Sequence, residues 1–390
     1  MSRSQFPRYT DGDVIITLAE VHTYQLHSSV LRRCSAHFRR LLIEEKATKP
    51  DETARESGVY VRYQLELADY ELDGVGWVVI KSTDSMNNGT SPTADSRPEA
   101  PRLALHRFTH YDNLFRTFYH IKPALDETNL ILTIRDSMGL MELAERLGSI
   151  SAITECIENA LLDHGQPLFQ SIAVNTMAWL DLAYRLQSAT IMKESLIHVI
   201  GQWNSLTSET KSQMKPDVFG VCEKKYHELN EKKREIDSEI LCHYTPECFA
   251  PGQSNISPNY RVLDSTKICG WMTVAIFRET YGRAINDGLN FRAEDGGAKL
   301  YRQIASCDDL VTQPAAKRFC EQFQLTEERD CIEIQLFKLK LRLKQLVQPL
   351  LVNRSLLDVK VQPLKYLTCV QIRTDDLKFL TERRNLESRG

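Results

Sequence analysis

DGDVIITLAEVHTYQLHSSVLRRCSAHFRRLL, from Asp11 to Leu42, is the stretch whose reading decides the fold of this 390-residue chain. Two short runs of alternating apolar and polar residues come first, Val14 to Leu18 and Val21 to Leu26, separated by Ala19 and Glu20. They predict a β-hairpin with Val14, Ile16 and Leu18 on one face. After His27 the period changes from two to that of a helix. Ser28 or Ser29 is available as a cap, and Val30, Leu31, Cys34, Phe38, Leu41 and Leu42 recur at helical spacing. A hairpin feeding straight into a two-part apolar helix is a packing unit. It offers no nucleophile beside a base and no glycine-rich phosphate loop.

Working outward, VYVRYQLEL from Val59 to Leu67 alternates cleanly, and Trp77 to Ile80 is a second short apolar run. Asp73-Gly74 between them is a turn signal, so both runs are expected to extend the hairpin sheet. Lys81 to Arg102 is rich in Ser, Thr, Asn and Pro and has almost no large apolar residue. Such a segment cannot offset its own ordering entropy, and a disordered surface insertion is expected. Phe108, Tyr111, Leu114, Phe115 and Phe118 then form an aromatic helical stripe, read as core packing rather than a cofactor box. Helices are expected from about residue 129 to 147, broken near Asp136 to Gly139, and from about 151 to 162. The fold class is α+β: a small N-terminal sheet with helices, followed by a mostly α-helical C-terminal region.

Four stretches carry a family resemblance. D-G-D-V-x-I at 11–16 is followed by Q-L-H-S-S-V-L-R-R-C-S-x-x-F at 25–38. Within the latter, His27 to Leu31 fits an H-x-x-x-L signature and Ser35 to Phe38 an S-x-x-F. DNLFRTFYHIKP and LMELAERLGSISAITECIENALL complete the set. Together they resemble a BTB/POZ domain over residues 11–163, with the insertion at about 81–102. The wording of the whole chain is most similar to the long BTB-domain proteins of filamentous fungi. The resemblance implies a hydrophobic dimer face drawn from Val14, Ile16, Leu31 and Phe38. It also implies, for one subset of the family, a cullin contact through an apolar-x-Glu triplet, for which Ile43 and Glu45 stand in a comparable place. The recognition modules usual in such adaptors, kelch, MATH or zinc-finger, are not detectable.

Met141 to Ser149 is echoed by Leu180 to Ser188, which suggests a second antiparallel helix pair and a helical extension over 164–214. Lys215-Pro216 opens a mostly helical C-terminal domain, 215–390. Its expected elements are a charged amphipathic helix from Val218 to Tyr244 and an apolar helix from Ile268 to Arg283. Turns are expected at Asp287-Gly288 and Asp295 to Gly297, with short helices near 300–305 and 313–323 and a long one over 331–351. The charged tail after Gln371 is expected to fray.

Candidate chemistry is sparse. Composition is ordinary, at 42% hydrophobic and 26% charged, and the formal net charge of −3 gives no bulk attraction to nucleic acid or an acidic membrane. No apolar run is long enough to span a bilayer, and the N-terminus lacks the apolar core of a secretory signal. Ten cysteines stand singly, without a C-x-x-C pair, as in reduced proteins of the cytoplasm or nucleus. Cys242, His243 and Cys248 place three metal-ligating residues together, but no partner pair stands at zinc spacing. No G-x-S-x-G, G-x-G-x-x-G or P-loop occurs. His27 reads as internal packing, and Lys338, Lys340, Arg342 and Lys344 as the solvated face of a helix. The expectation is a non-enzymatic scaffold without metal or cofactor, associating with protein partners as a homo- or hetero-dimer. The alternative is a substrate adaptor for a cullin-based ubiquitin ligase.

Overall fold

A computed structural model describes residues 6–7, 9–18, 22–48, 61–67, 77–80, 105–248, 265–306, 313–325 and 327–389. The turn at Asp73-Gly74 and the insertion at 81–102 lie outside the described residues. Backbone contacts divide the chain into two compact units. The first comprises Met1–Leu168, Asp181–Ile191 and Leu377–Gly390, and the second Phe169–Leu180 and Met192–Asp376.

The first unit holds the sheet, with β1 (Val14–Leu18), β2 (His22–Leu26), β3 (Tyr63–Leu67) and β4 (Trp77–Ile80) in the order β2-β1-β3-β4. β1 pairs antiparallel with β2 and parallel with β3, so Val14 lies between Leu26 and Tyr63, and Ile16 between Tyr24 and Leu65. All six of these side chains are buried, as the period-2 reading requires of one face. The helical run after His27 does fall into two parts, α1 (Ser28–Cys34) and α2 (Ala36–Leu41). The break is Ser35, whose side chain accepts the Phe38 N–H at 3.2 Å and donates to Leu147 O at 2.6 Å. Neither Ser28 nor Ser29 caps α1. Asp13 does, taking the Ser28 N–H at 2.6 Å and the Ser28 hydroxyl at 2.7 Å. The residue just before β1 thus supplies the cap.

Helix α3 (Leu105–Phe118) buries Tyr111, Leu114, Phe115 and Phe118. Its successor α4 (Leu130–Leu147) runs without the expected break at Asp136 to Gly139. Gly139 is there for close approach: a Cβ on it would stand 2.0 Å from the His110 ring. α4 ends and α5 (Ile150–Leu162) begins through Gly148, which has φ 59°, with the Ser149 N–H donating to Ala144 O at 2.8 Å. The sequence echo is repeated in three dimensions. Gln187 takes φ 58° and the Ser188 N–H donates to Ala183 O at 3.1 Å, the same left-handed helix end. Between 163 and 203 the chain forms three helices where two were expected: α6 (Gln166–Val174), α7 (Thr176–Leu186) and α8 (Ala189–Gly201). The C-terminal tail does not fray. α15 (Lys378–Arg389) belongs to the first unit, where Leu377 and Leu380 are buried and Phe379 stacks on Tyr184.

The second unit is helical, built from α9 (Ser208–Ser212), α10 (Pro216–Cys242), α11 (Ser265–Asn286), α12 (Ala298–Ser306), α13 (Gln313–Gln322) and α14 (Arg329–Leu351), with the 352–376 segment after them. α14 settles the strand-or-helix ambiguity of 331–351 in favour of helix. Its buried row is Ile332, Leu336, Leu339, Leu343, Val347 and Leu350, with Val347 in the place expected of Leu346. It packs against α11 and α12, in which Phe277, Tyr281, Tyr301 and Ile304 are buried. Among the described residues no helix is long and apolar enough to cross a membrane.

Candidate functional site

The side chains with the most chemistry are in the second unit, where α8 meets the segment that follows α14. Glu194 and His198 stand one turn apart on α8 and are almost wholly buried. His198 Nε2 lies 3.1 Å from Glu194 Oε1 and 3.2 Å from Ser355 Oγ, and Nδ1 lies 2.7 Å from the Tyr366 hydroxyl. Ser355 donates its hydroxyl to Glu194, and the Leu356 N–H donates to both carboxylate oxygens at 3.1 and 3.0 Å. Burial by itself raises the Glu194 carboxyl. The hydrogen bonds from His198, Ser355 and the Leu356 backbone outweigh it and hold the group below its ordinary value.

A serine, a histidine and a carboxylate in contact invite comparison with a hydrolase. The arrangement is wrong for one. In a triad the acid orients one imidazole nitrogen while the other activates the serine. Here serine and glutamate share Nε2, the serine proton goes to the carboxylate, and all three groups are buried. The cluster fastens a chain segment. Asn353 continues the fastening: its amide donates to Ser355 O and Leu357 O at 3.2 and 3.0 Å, and its oxygen accepts from the Ser355 N–H and the Thr368 hydroxyl. Arg302 on α12 closes the far side by donating to Leu364 O at 2.7 Å and Tyr366 O at 2.9 Å. Between these fastenings lies a cavity of about 340 Å³, walled mainly by Leu350, Val359, Pro363, Leu364 and Leu367, with Arg302 on it.

A second buried polar cluster lies on α10. Asp237 accepts the hydroxyls of Tyr281 and Tyr301, each at 3.1 Å, and burial raises its carboxyl. One turn back, Lys233 is nearly sealed, and burial pushes its ammonium down to about 8. Its nearest hydrogen-bond partner is Asn230 Oδ1 at 3.5 Å.

The residues singled out in sequence have different fates. Val14, Ile16, Leu31 and Phe38, expected to form a dimer face, are wholly buried in the first unit, where their side chains form core. Glu45 is exposed and Ile43 half-buried, beside a 3₁₀ turn at Glu44–Lys46 whose Glu44 pairs with Arg62. His27 is held by Tyr119, whose hydroxyl accepts the His27 N–H at 2.8 Å and lies 3.0 Å from Nδ1. Cys248 is buried against Thr245 while Cys242 is exposed, and no metal-holding group of His, Cys, Asp and Glu occurs among the described residues. The basic run on α14 is a solvated face that also exposes Ile334, Phe337 and Leu341. Sequence reading assigned no site role to Glu194, Ser355 or Tyr366. The sole local signal was the Glu194–His198 spacing of one helical turn.

The fold and site define a helical unit whose polar residues fasten structure, joined in the chain to a unit with a small sheet. Compared with known families, residues 246–349 match the FF domain, of the fungal type, a protein–protein interaction module. This overturns the BTB/POZ resemblance, because no BTB/POZ domain is found. The hairpin and helices that suggested it do form, but alternation plus H-x-x-x-L is a packing pattern and does not specify a family. The cullin contact at Ile43 and Glu45 rested on that resemblance and loses its support with it. Comparison with curated proteins and with solved structures returns no match.

Proposed function

We propose that this chain is a non-catalytic interaction protein whose second unit recognises protein partners. The observation that carries the reading is the FF-domain match, which covers the Pro246–Cys248 turn, α11, α12, α13 and nearly all of α14. The buried Ser355, His198 and Glu194 support it from the chemical side. Groups that could serve as nucleophile, base and acid are sealed from solvent and committed to holding backbone. Cross-linking mass spectrometry on the tagged full chain in the cells that express it tests the reading. The expected result is recurrent partners cross-linked within 246–349. A chain that recovers none refutes it.

A further inference from the structure

Cys269 on α11 and Cys331 on α14 are distant in sequence, yet the fold brings their thiols together. Two successive turns of α11 lie against the start of α14. Cys269 Sγ donates to the Glu328 carbonyl at 3.8 Å, and Thr273 Oγ1 reaches the Ile332 carbonyl at 3.5 Å. Cys331 stands between those two carbonyls along the chain, on the turn that the Ile332 N–H closes by donating to Glu328 O at 2.9 Å. The second polar contact of the Cys269 side chain is the Cys331 thiol itself. Both thiols are free. Because Cys269 and Thr273 are short side chains that touch backbone, two helices fix the position of the pair, with no long flexible side chain between them.

The two thiols differ in access. Cys269 is buried, and burial together with the Cys331 thiol beside it pushes its thiol up to about 12. Cys331 is half-buried. One sulfur can meet a dissolved oxidant while the other waits behind it, which is how an attacking and a resolving cysteine divide their work. We infer that Cys269 and Cys331 form an oxidation site that takes a hydroperoxide and closes into a reversible disulfide stapling α11 to α14. With hydrogen peroxide, Cys331 Sγ attacks one peroxide oxygen, the O–O bond breaks, an S–O bond forms, and water leaves behind a sulfenic acid. Cys269 Sγ then attacks Cys331 Sγ, the S–S bond forms, the S–O bond breaks, and the hydroxyl departs as water with the proton of Cys269. Two thiols lose two electrons and two protons, and one peroxide becomes two waters. The bond closes a loop of about 60 residues, which in the chain-entropy account favours the folded state by up to roughly a thousandfold. Both cysteines lie within 246–349, so oxidation would set the rigidity of the matched region. The chemistry involves this chain alone and stands or falls separately from partner recognition.

The test uses the full chain, reduced, freed of reductant and treated with stoichiometric hydrogen peroxide. Remaining thiols are then alkylated and the protein is digested without reduction for mass spectrometry. The expected product is an intramolecular Cys269–Cys331 peptide that dithiothreitol removes. Hydrogen exchange on the oxidised chain should show amides of α11 and α14 at least tenfold slower, with recovery after dithiothreitol. Cys331→Ser should abolish both the link and the slowing, and Cys331→Ala serves as a second variant. Cys242→Ser, which removes an exposed thiol, should leave both intact. The proposal is overturned if both thiols are still alkylated, if Cys331 is carried to sulfinic acid without a link, or if either cysteine joins a different partner. Equal slowing of exchange in a folded Cys331 variant would overturn it as well.

Discussion

Replacing Glu194 with alanine should release the segment that forms the cavity. The carboxylate receives the Leu356 N–H and the Ser355 hydroxyl and lies against His198, all within one buried cluster. Hydrogen bonds to a charged group contribute about 1.5–3 kcal/mol each and do not simply add. We take about 3 kcal/mol as the expected loss in the local opening free energy of residues 352–370, or about two orders of magnitude in the opening equilibrium at roughly 1.4 kcal/mol per decade. Hydrogen exchange followed by mass spectrometry reads this directly. The reporting amides are Leu357, bonded to Ser355 Oγ at 3.0 Å, Ser355, bonded to Asn353 Oδ1 at 3.1 Å, and Arg354, bonded to Thr368 O at 3.0 Å. All three should exchange about a hundredfold faster while peptides of the first unit are unchanged. The sign of the pH effect is set by the depressed carboxyl. Its stabilisation is complete above the ordinary glutamate range and is lost as pH falls through the lowered folded value, so acid should mimic the substitution in the wild type and add nothing to the variant. Acceleration under about tenfold, or acceleration spread evenly over the unit, would refute the claim that this cluster fastens the segment.

Two other substitutions test the buried interior. Lys233 is less basic when folded, about 8 against an ordinary 10.5, so the unfolded chain binds more protons between those values and stability should rise with pH across that window. Lys233→Met should remove that rise and raise the urea midpoint at pH 7, with a gain of about 1–3 kcal/mol, and an unaltered pH profile would show that the ammonium is not desolvated. Gly148→Ala puts a side chain on a residue with φ 59° and a Cβ 2.9 Å from that of Ala36. It should cost at least about 1–2 kcal/mol in urea unfolding, and an unchanged midpoint would contradict the left-handed helix end.

Much of the framework was legible in the chain. Alternation at Val14, Ile16 and Leu18 gave a strand face, and the 332–350 row gave a long helix, because periods of 2 and 3.6 can be read without knowing the neighbour. The small errors have local causes. Gly139 resembled a helix breaker because its role depends on His110 of another helix, and Ser28 resembled a cap because Asp13 lies fifteen residues away. The larger error was to assign a family from a packing pattern. The matched region, 246–349, carried amphipathic helices without any chemically distinctive motif.

The amino-acid order alone therefore determined the class of elements, an α+β chain with its strands early and its helices late, since backbone propensity and side-chain period act over a few residues. Tertiary structure decided which of those side chains face solvent and which polar groups meet. Val14, Ile16, Leu31 and Phe38 are equally apolar in either reading, and the folded unit alone shows them consumed as core. Glu194 meets Ser355 across 161 positions and His198 meets Tyr366 across 168. Their partnership is enforced by the cost of burying an unpaired polar group, which leaves no periodic trace along the chain.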